Sequence, residues 1–171
     1  MKLSTREMTL FALLGALMYV SKVIMEMLPN IHLLGVFVVA FTLVYRKKAL
    51  YPIYIYVFLN GFFSGFSVWW IPYLYIWTIL WGMVMLLPKN MPKKVRPIVY
   101  MLVCSAHGFL FGTLYAPIQI VLFGFNLKAV AAWIIAGLPW DCIHGISNFF
   151  CGMLIVPIVS VLSRAEHYVE R

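Results

Sequence analysis

The sequence predicts an all-α integral membrane protein, six transmembrane helices in one bundle, with the N and C termini both cytoplasmic. Three observations carry that prediction. Of 171 residues, 64% are hydrophobic and only 11% charged, too few polar groups to surface a soluble domain. The apolar residues fall into runs near the length of a membrane span, on the order of 20 residues, separated by Pro, Gly and short polar turns. The 13 Lys and Arg are placed asymmetrically: all but Lys22 and Lys128 fall at the N-terminus, in the 46–48 turn, in the 89–96 loop or in the C-terminal tail. In a six-span chain those four segments share one side, and the positive-inside rule makes that side cytoplasmic.

Each element follows from local signals. Ser4 and Glu7 form an S-x-x-E capping box, in which each side chain satisfies the other's orphan amide. Helix 1 therefore begins near residue 5 and runs to about residue 28, before Pro29. The second apolar run, 31–45, is short for a span and stops at Arg46, Lys47 and Lys48. The third covers 49–66, with Pro52 tolerated in its first turn. The fourth, 71–87, starts at Ile71 and Pro72 and is followed by Lys89, Lys93, Lys94 and Arg96. The fifth, 97–123, is interrupted by Pro117 near its far end. Residues 124–137 are apolar but broken by Asn126, Lys128 and Gly137, which suits an interfacial or re-entrant segment. Pro139 opens the sixth helix, which ends at Ser163 and Arg164. The chain reads as a single domain over 1–171, without internal repeat or low-complexity tract. Its first run is long, lacks a small-residue cleavage signal and is followed by further spans, so it is not read as a removed signal peptide.

Several function classes fall away. A net charge of +8 would suit nucleic acid, but the basic residues sit in short clusters at the ends of apolar runs, as cytoplasmic anchors do. Cys104, Cys142 and Cys151 form no CxxC pair and no even framework, so neither a zinc site nor a disulfide scaffold is indicated. There is no P-loop, no HExxH and no Ser or Cys beside a base. The reading is therefore of a protein that is not an enzyme, with no cofactor and no metal. Of the five acidic residues, Glu7, Glu166 and Glu170 lie at the cytoplasmic ends. Only Glu26 and Asp141 remain on the outer side, little from which to build a proton relay.

Polar side chains in lipid are costly and face the protein interior or a wet cavity. Asp141, His144 and Asn148 fall at i, i+3 and i+7 on helix 6, one stripe entering from the outer face. Tyr73, Trp77 and Trp81 fall at i, i+4 and i+8 on helix 4, descending from the same side. Asn30, His32, Trp69, Trp70, Gln119 and Trp133 surround that entrance. A concave aromatic site with a few placed polar groups is how small-molecule pockets are built. The plainer readings stand beside it. Trp69, Trp70, Tyr73 and Trp140 also suit an interfacial aromatic belt, and Lys22 with Glu26 suits a structural ion pair. His107, flanked by Gly108 and Gly112, suits an interhelical hydrogen bond, and His32 suits the end of a turn. Asp141, His144 and Asn148 are the hardest to explain so, because three polar residues on one apolar helix need partners.

Within 9–22, the small residues Ala12, Gly15 and Ala16 put Ala12 and Ala16 one turn apart on one face, where another helix can approach closely. That face wants a partner, inside this chain or outside it. With six short spans, a cytoplasmic N-terminus, no ATP-binding motif and this AxxxA pair, the chain resembles the substrate-binding S components of energy-coupling factor transporters. The resemblance covers the whole chain in size and topology. It implies that Ala12 and Ala16 dock onto the membrane scaffold subunit, itself driven by two cytoplasmic ATPase subunits. It implies further that a vitamin-like micronutrient is captured at the outer face of the cell membrane and released inside. The aromatic residues near the outer mouth suit a flat heterocyclic ligand held by stacking, with Asp141 and His144 fixing its orientation. A self-sufficient small carrier, or a small membrane enzyme or assembly factor using Asp141 and His144, are the alternatives.

Overall fold

The computed structural model describes residues 3–169; Lys2, Glu170 and Arg171, assigned above to the cytoplasmic ends, lie outside them. Among the described residues all regular structure is helical. The helices are α1 (Thr5–Ile24), α2 (Leu34–Tyr45), α3 (Leu50–Ser64), α4 (Tyr73–Met85), α5 (Arg96–Phe109), α6 (Phe111–Phe123), α7 (Leu127–Cys151) and α8 (Ile155–Val169), with 3-10 turns at Arg46–Ala49 and Gly152–Leu154. The capping box forms as expected: Glu7 N–H donates to Ser4 Oγ at 3.2 Å and Ser4 N–H to Glu7 Oε2 at 2.9 Å. Glu7 also pairs with Lys48, tying the start of α1 to the 3-10 turn after α2.

Three helical stretches are long and apolar enough to cross a membrane: Thr5–Ile24, Arg96–Phe123 and Leu127–Glu166, of 20, 28 and 40 residues. The sequence leads one to expect six. Helices α2, α3 and α4 hold only 12, 15 and 13 residues, roughly 20 Å each against ~30 Å of hydrocarbon. For α2 the reason is its position. Every residue from Leu34 to Thr42 is buried, so α2 is a central helix, apolar all round as such helices are. Its neighbours are chiefly α4 and α8, with α5, α1 and α7 completing the ring. Around it, α1 lays a stripe of Phe11, Leu14, Gly15 and Met18 onto α3, the i, i+3, i+4, i+7 pattern of a one-faced helix.

Two expected helix boundaries move. The 97–123 run breaks at Leu110, and Pro117 sits inside α6 without ending it. Asp141 of α7 decides the break: both carboxylate oxygens accept from the Gly112 N–H, at 2.9 and 3.1 Å. That amide is diverted from the i to i−4 ladder, and a side chain inserted there bends a helix. Residues 127–137 are not a segment separate from helix 6: α7 starts behind Asn126, whose Oδ1 accepts from Ala129 N–H at 3.0 Å, and runs through Gly137 and Pro139. The cap nucleates the helix well upstream, and the exposed Pro139 ring displaces no packed neighbour.

The tightest pairing is α5 on α7. A Cβ added to Gly108 would lie 2.9 Å from the Gly145 Cα, and one added to Gly145 would lie 2.5 Å from the Phe109 ring. Backbones meet directly there, as small residues permit between apolar helices. The crossing puts His107 and His144 at the same level of the bundle. The basic 46–49 turn and 86–95 connection lie at one end of the molecule, and the 25–33 and 65–72 connections at the other.

Candidate functional site

The side chains that converge belong to five helices and one connection. Trp77 of α4 is the hub, 1% exposed. Its ring centroid lies 5.7 Å from Tyr73 and from His107, 6.0 Å from Phe111, 6.1 Å from Tyr56 and 6.3 Å from His32. His144 of α7 stands between His32 and Phe111, with both ring centroids at 4.6 Å. Most contacts are edge-on or tilted, the arrangement that aligns the positive edge of one ring with the negative face of the next.

What distinguishes this cluster from an ordinary core is its unmet hydrogen bonding. Trp77 Nε1, His32 Nδ1, His107 Nδ1, His144 Nε2 and the Tyr56 hydroxyl are buried without a partner, as are Oδ1 of Asn60 and of Asn148. Buried polar groups in folded proteins are nearly always paired, and leaving one unpaired costs about 1–3 kcal/mol. Five of the seven, on Trp77, His32, His107, His144 and Tyr56, belong to rings joined by the contacts above. Their polarities are mixed. His107 Nε2 lies 3.0 Å from the Ile76 carbonyl, so that nitrogen carries the proton of a neutral ring and Nδ1 is left as an acceptor. Trp77 Nε1 is a donor, and the Asn60 and Asn148 oxygens are acceptors. No Lys or Arg is among them, so the cluster carries both donor and acceptor capacity without a formal positive charge.

The structure sorts the residues that helical spacing singled out. Tyr73, Trp77 and His144 come together. Asn148 is fully buried, its Nδ2 donating to the Cys104 carbonyl at 3.3 Å. Asp141 borders the cluster, but its carboxylate is engaged by Gly112 and serves as the clasp between α6 and α7. Trp81 is displaced to the basic end, donating through Nε1 to the Arg46 carbonyl at 3.0 Å. Trp133 is 37% exposed and donates to the Gly112 carbonyl at 3.3 Å, outside the cluster. Asn30 contributes its backbone, its carbonyl accepting from Ser147 Oγ at 3.0 Å. Lys22 and Glu26 form the expected ion pair at 3.0 Å.

Spacing on single helices missed several members. His32, expected at the outer entrance from its depth, sits in a connection and carries no helical period. His107 makes the interhelical hydrogen bond expected of it, yet its other nitrogen belongs to the cluster. Tyr56, in the middle of α3 and one turn before the buried Asn60, forms with it an i, i+4 polar pair present in the sequence. Phe111 was inseparable from the other apolar residues of its run. Among the described residues no group of three His, Cys, Asp or Glu is disposed to hold a metal ion.

The small-residue stretch of α1 divides. Gly15 is buried where a Cβ would lie 2.7 Å from Ile55 Cβ and 3.0 Å from the Pro52 carbonyl oxygen of α3. Ala12 is exposed and Ala16 half-buried. A separate apolar groove of about 840 Å3 follows the outer side of α3, past Tyr51, Phe58 and Phe62. Compared with family models, with characterised proteins and with solved structures, the chain matches none.

Proposed function

We propose that the chain is the substrate-capture subunit of an ATP-driven micronutrient uptake transporter of the energy-coupling factor type. It sits in the cell membrane as six helical spans with both termini cytoplasmic, and the Trp77 cluster receives the nutrient from outside. The observation that carries this reading is the cluster itself: buried aromatic rings packed around Trp77 with five unpaired polar atoms, at the end of the bundle away from the basic connections. A soluble nutrient supplies those hydrogen bonds and ring faces on binding, which turns a destabilising arrangement into affinity. The uneven Lys and Arg distribution supports the orientation. Short α2, α3 and α4 are compatible with six spans, because α2 is shielded by protein and a bilayer thins around short helices at modest cost. The exposed Ala12 and half-buried Ala16 leave a face of α1 for the scaffold subunit.

The test is native mass spectrometry of the chain purified from cells grown in rich medium. A small molecule should co-purify, and Trp77→Ala should weaken its retention by roughly 30-fold, the effect of removing a central aromatic anchor worth about 2 kcal/mol. An empty protein that stays empty against a panel of vitamins would overturn the capture reading. Transport by liposomes containing this chain alone would instead make it a self-sufficient carrier.

A further inference from the structure

We propose that the concavity at the basic end of the bundle is a binding site for a phosphate-bearing anion, the headgroup of an anionic phospholipid being the nearest supply. This is independent of what the Trp77 cluster binds. The end of α2, the end of α4 and the start of α5 enclose a cavity of about 290 Å3, lined by Arg46, Lys89 and Arg96 over Leu87, Met91 and Tyr100. Three cations share one small concavity.

Their placement is built. Arg46 takes a positive φ of 52°, a conformation unfavourable for a non-glycine residue that persists only when its surroundings impose it. The Trp81 indole donating to its carbonyl is one such constraint. Its guanidinium is turned back over the end of α4, with Nη2 3.5 Å from the Met85 carbonyl. Arg96 donates through Nε to the Met91 carbonyl at 2.8 Å, which fixes the guanidinium plane and leaves its two Nη groups, the pair that grips phosphate oxygens. Neither arginine nor Lys89 takes part in a salt bridge among the described residues, where the ion pairs are Lys22 with Glu26 and Lys48 with Glu7. The start of α5 adds to the positive field, since Val95 provides no side-chain cap and Pro97 follows. The apolar residues suit the glycerol and first methylenes of a lipid, while the cations meet its phosphodiester. The Trp77 cluster has no such charge, so the two sites select opposite chemistries.

Phosphatidylglycerol and phosphatidylcholine are the probes, offered together in nanodiscs holding the full chain, with the lipid retained after detergent release counted by native mass spectrometry. Phosphatidylglycerol should be kept in preference, and the preference should fall about fivefold for each cation removed in Arg46→Gln and Arg96→Gln, as for a basic residue at a lipid surface. Lys93→Gln with Lys94→Gln removes the same charge from exposed positions outside the cavity and should leave the preference unchanged. If the arginine variants do not fold, Lys89→Gln, at an exposed side chain, should still reduce the preference on an intact protein. Displacement of the lipid by inorganic phosphate would identify a soluble phosphate as the source of the same chemistry. No preference for phosphatidylglycerol together with no displacement by phosphate, or an equal loss in the Lys93 and Lys94 variant, would overturn the site.

Discussion

A single residue can occupy the pattern of a binding site and still hold the fold, and Asp141 is the case here. Its carboxylate satisfies one backbone amide and shapes the bend between α5 and α6. Asp141→Ala strands the Gly112 N–H and should cost about 1–3 kcal/mol of stability, read as a lowered melting temperature, while the co-purifying ligand is retained. Loss of ligand with an unchanged melt would return Asp141 to the binding set. Trp77 has the opposite character, since its indole N–H has no partner and its ring touches five others. Gly108 belongs with Asp141: a valine there would drive methyl groups into Gly145 and Asn148, overpacking that costs about 1–3 kcal/mol.

At the scale of elements, α1 has two faces with different work. Gly15 is needed for close approach to α3, so Gly15→Leu should impair folding and lower the yield of monodisperse protein. Ala12→Leu, on the exposed side, should leave both yield and melting temperature unchanged. Under the proposed docking role, Ala16→Trp abolishes uptake in the assembled transporter yet leaves ligand binding by the isolated chain intact; loss of that binding would refute the division between capture and docking. The α5–α7 pair is the other decisive element contact. It sets His107 beside Trp77, and the bend at Leu110 aims Phe111 at His144.

For the whole molecule, the separation of an uncharged aromatic cluster at one end from cations at the other is what an oriented membrane protein needs. Under the proposed orientation, a Lys93→Cys variant should react with an impermeant thiol reagent only from the cytoplasmic side, and Lys128→Cys only from outside, each in a background with Cys142 replaced. Labelling of both from the same side would refute the six-span orientation. The continuous 40-residue stretch Leu127–Glu166, about 60 Å at ~1.5 Å per residue, exceeds a ~30 Å hydrocarbon layer.

Local chemistry determined much of this protein from the sequence alone. The apolar composition, the capping box and the Lys22–Glu26 pair depend on neighbours a few positions apart. Those interactions are already present in the linear order. Tertiary structure decided which candidates meet. Trp77 and Trp81 share a helical face, but i and i+4 differ by about 6 Å in height, so one joins His107 and the other seals the end of α2. The break at Leu110 falls where Asp141, from another helix, reaches Gly112, and Gly15 turned inward because α3 lay against it. Helical period records which face a residue occupies; the register between helices, fixed by contacts distant in sequence, decides what stands opposite it.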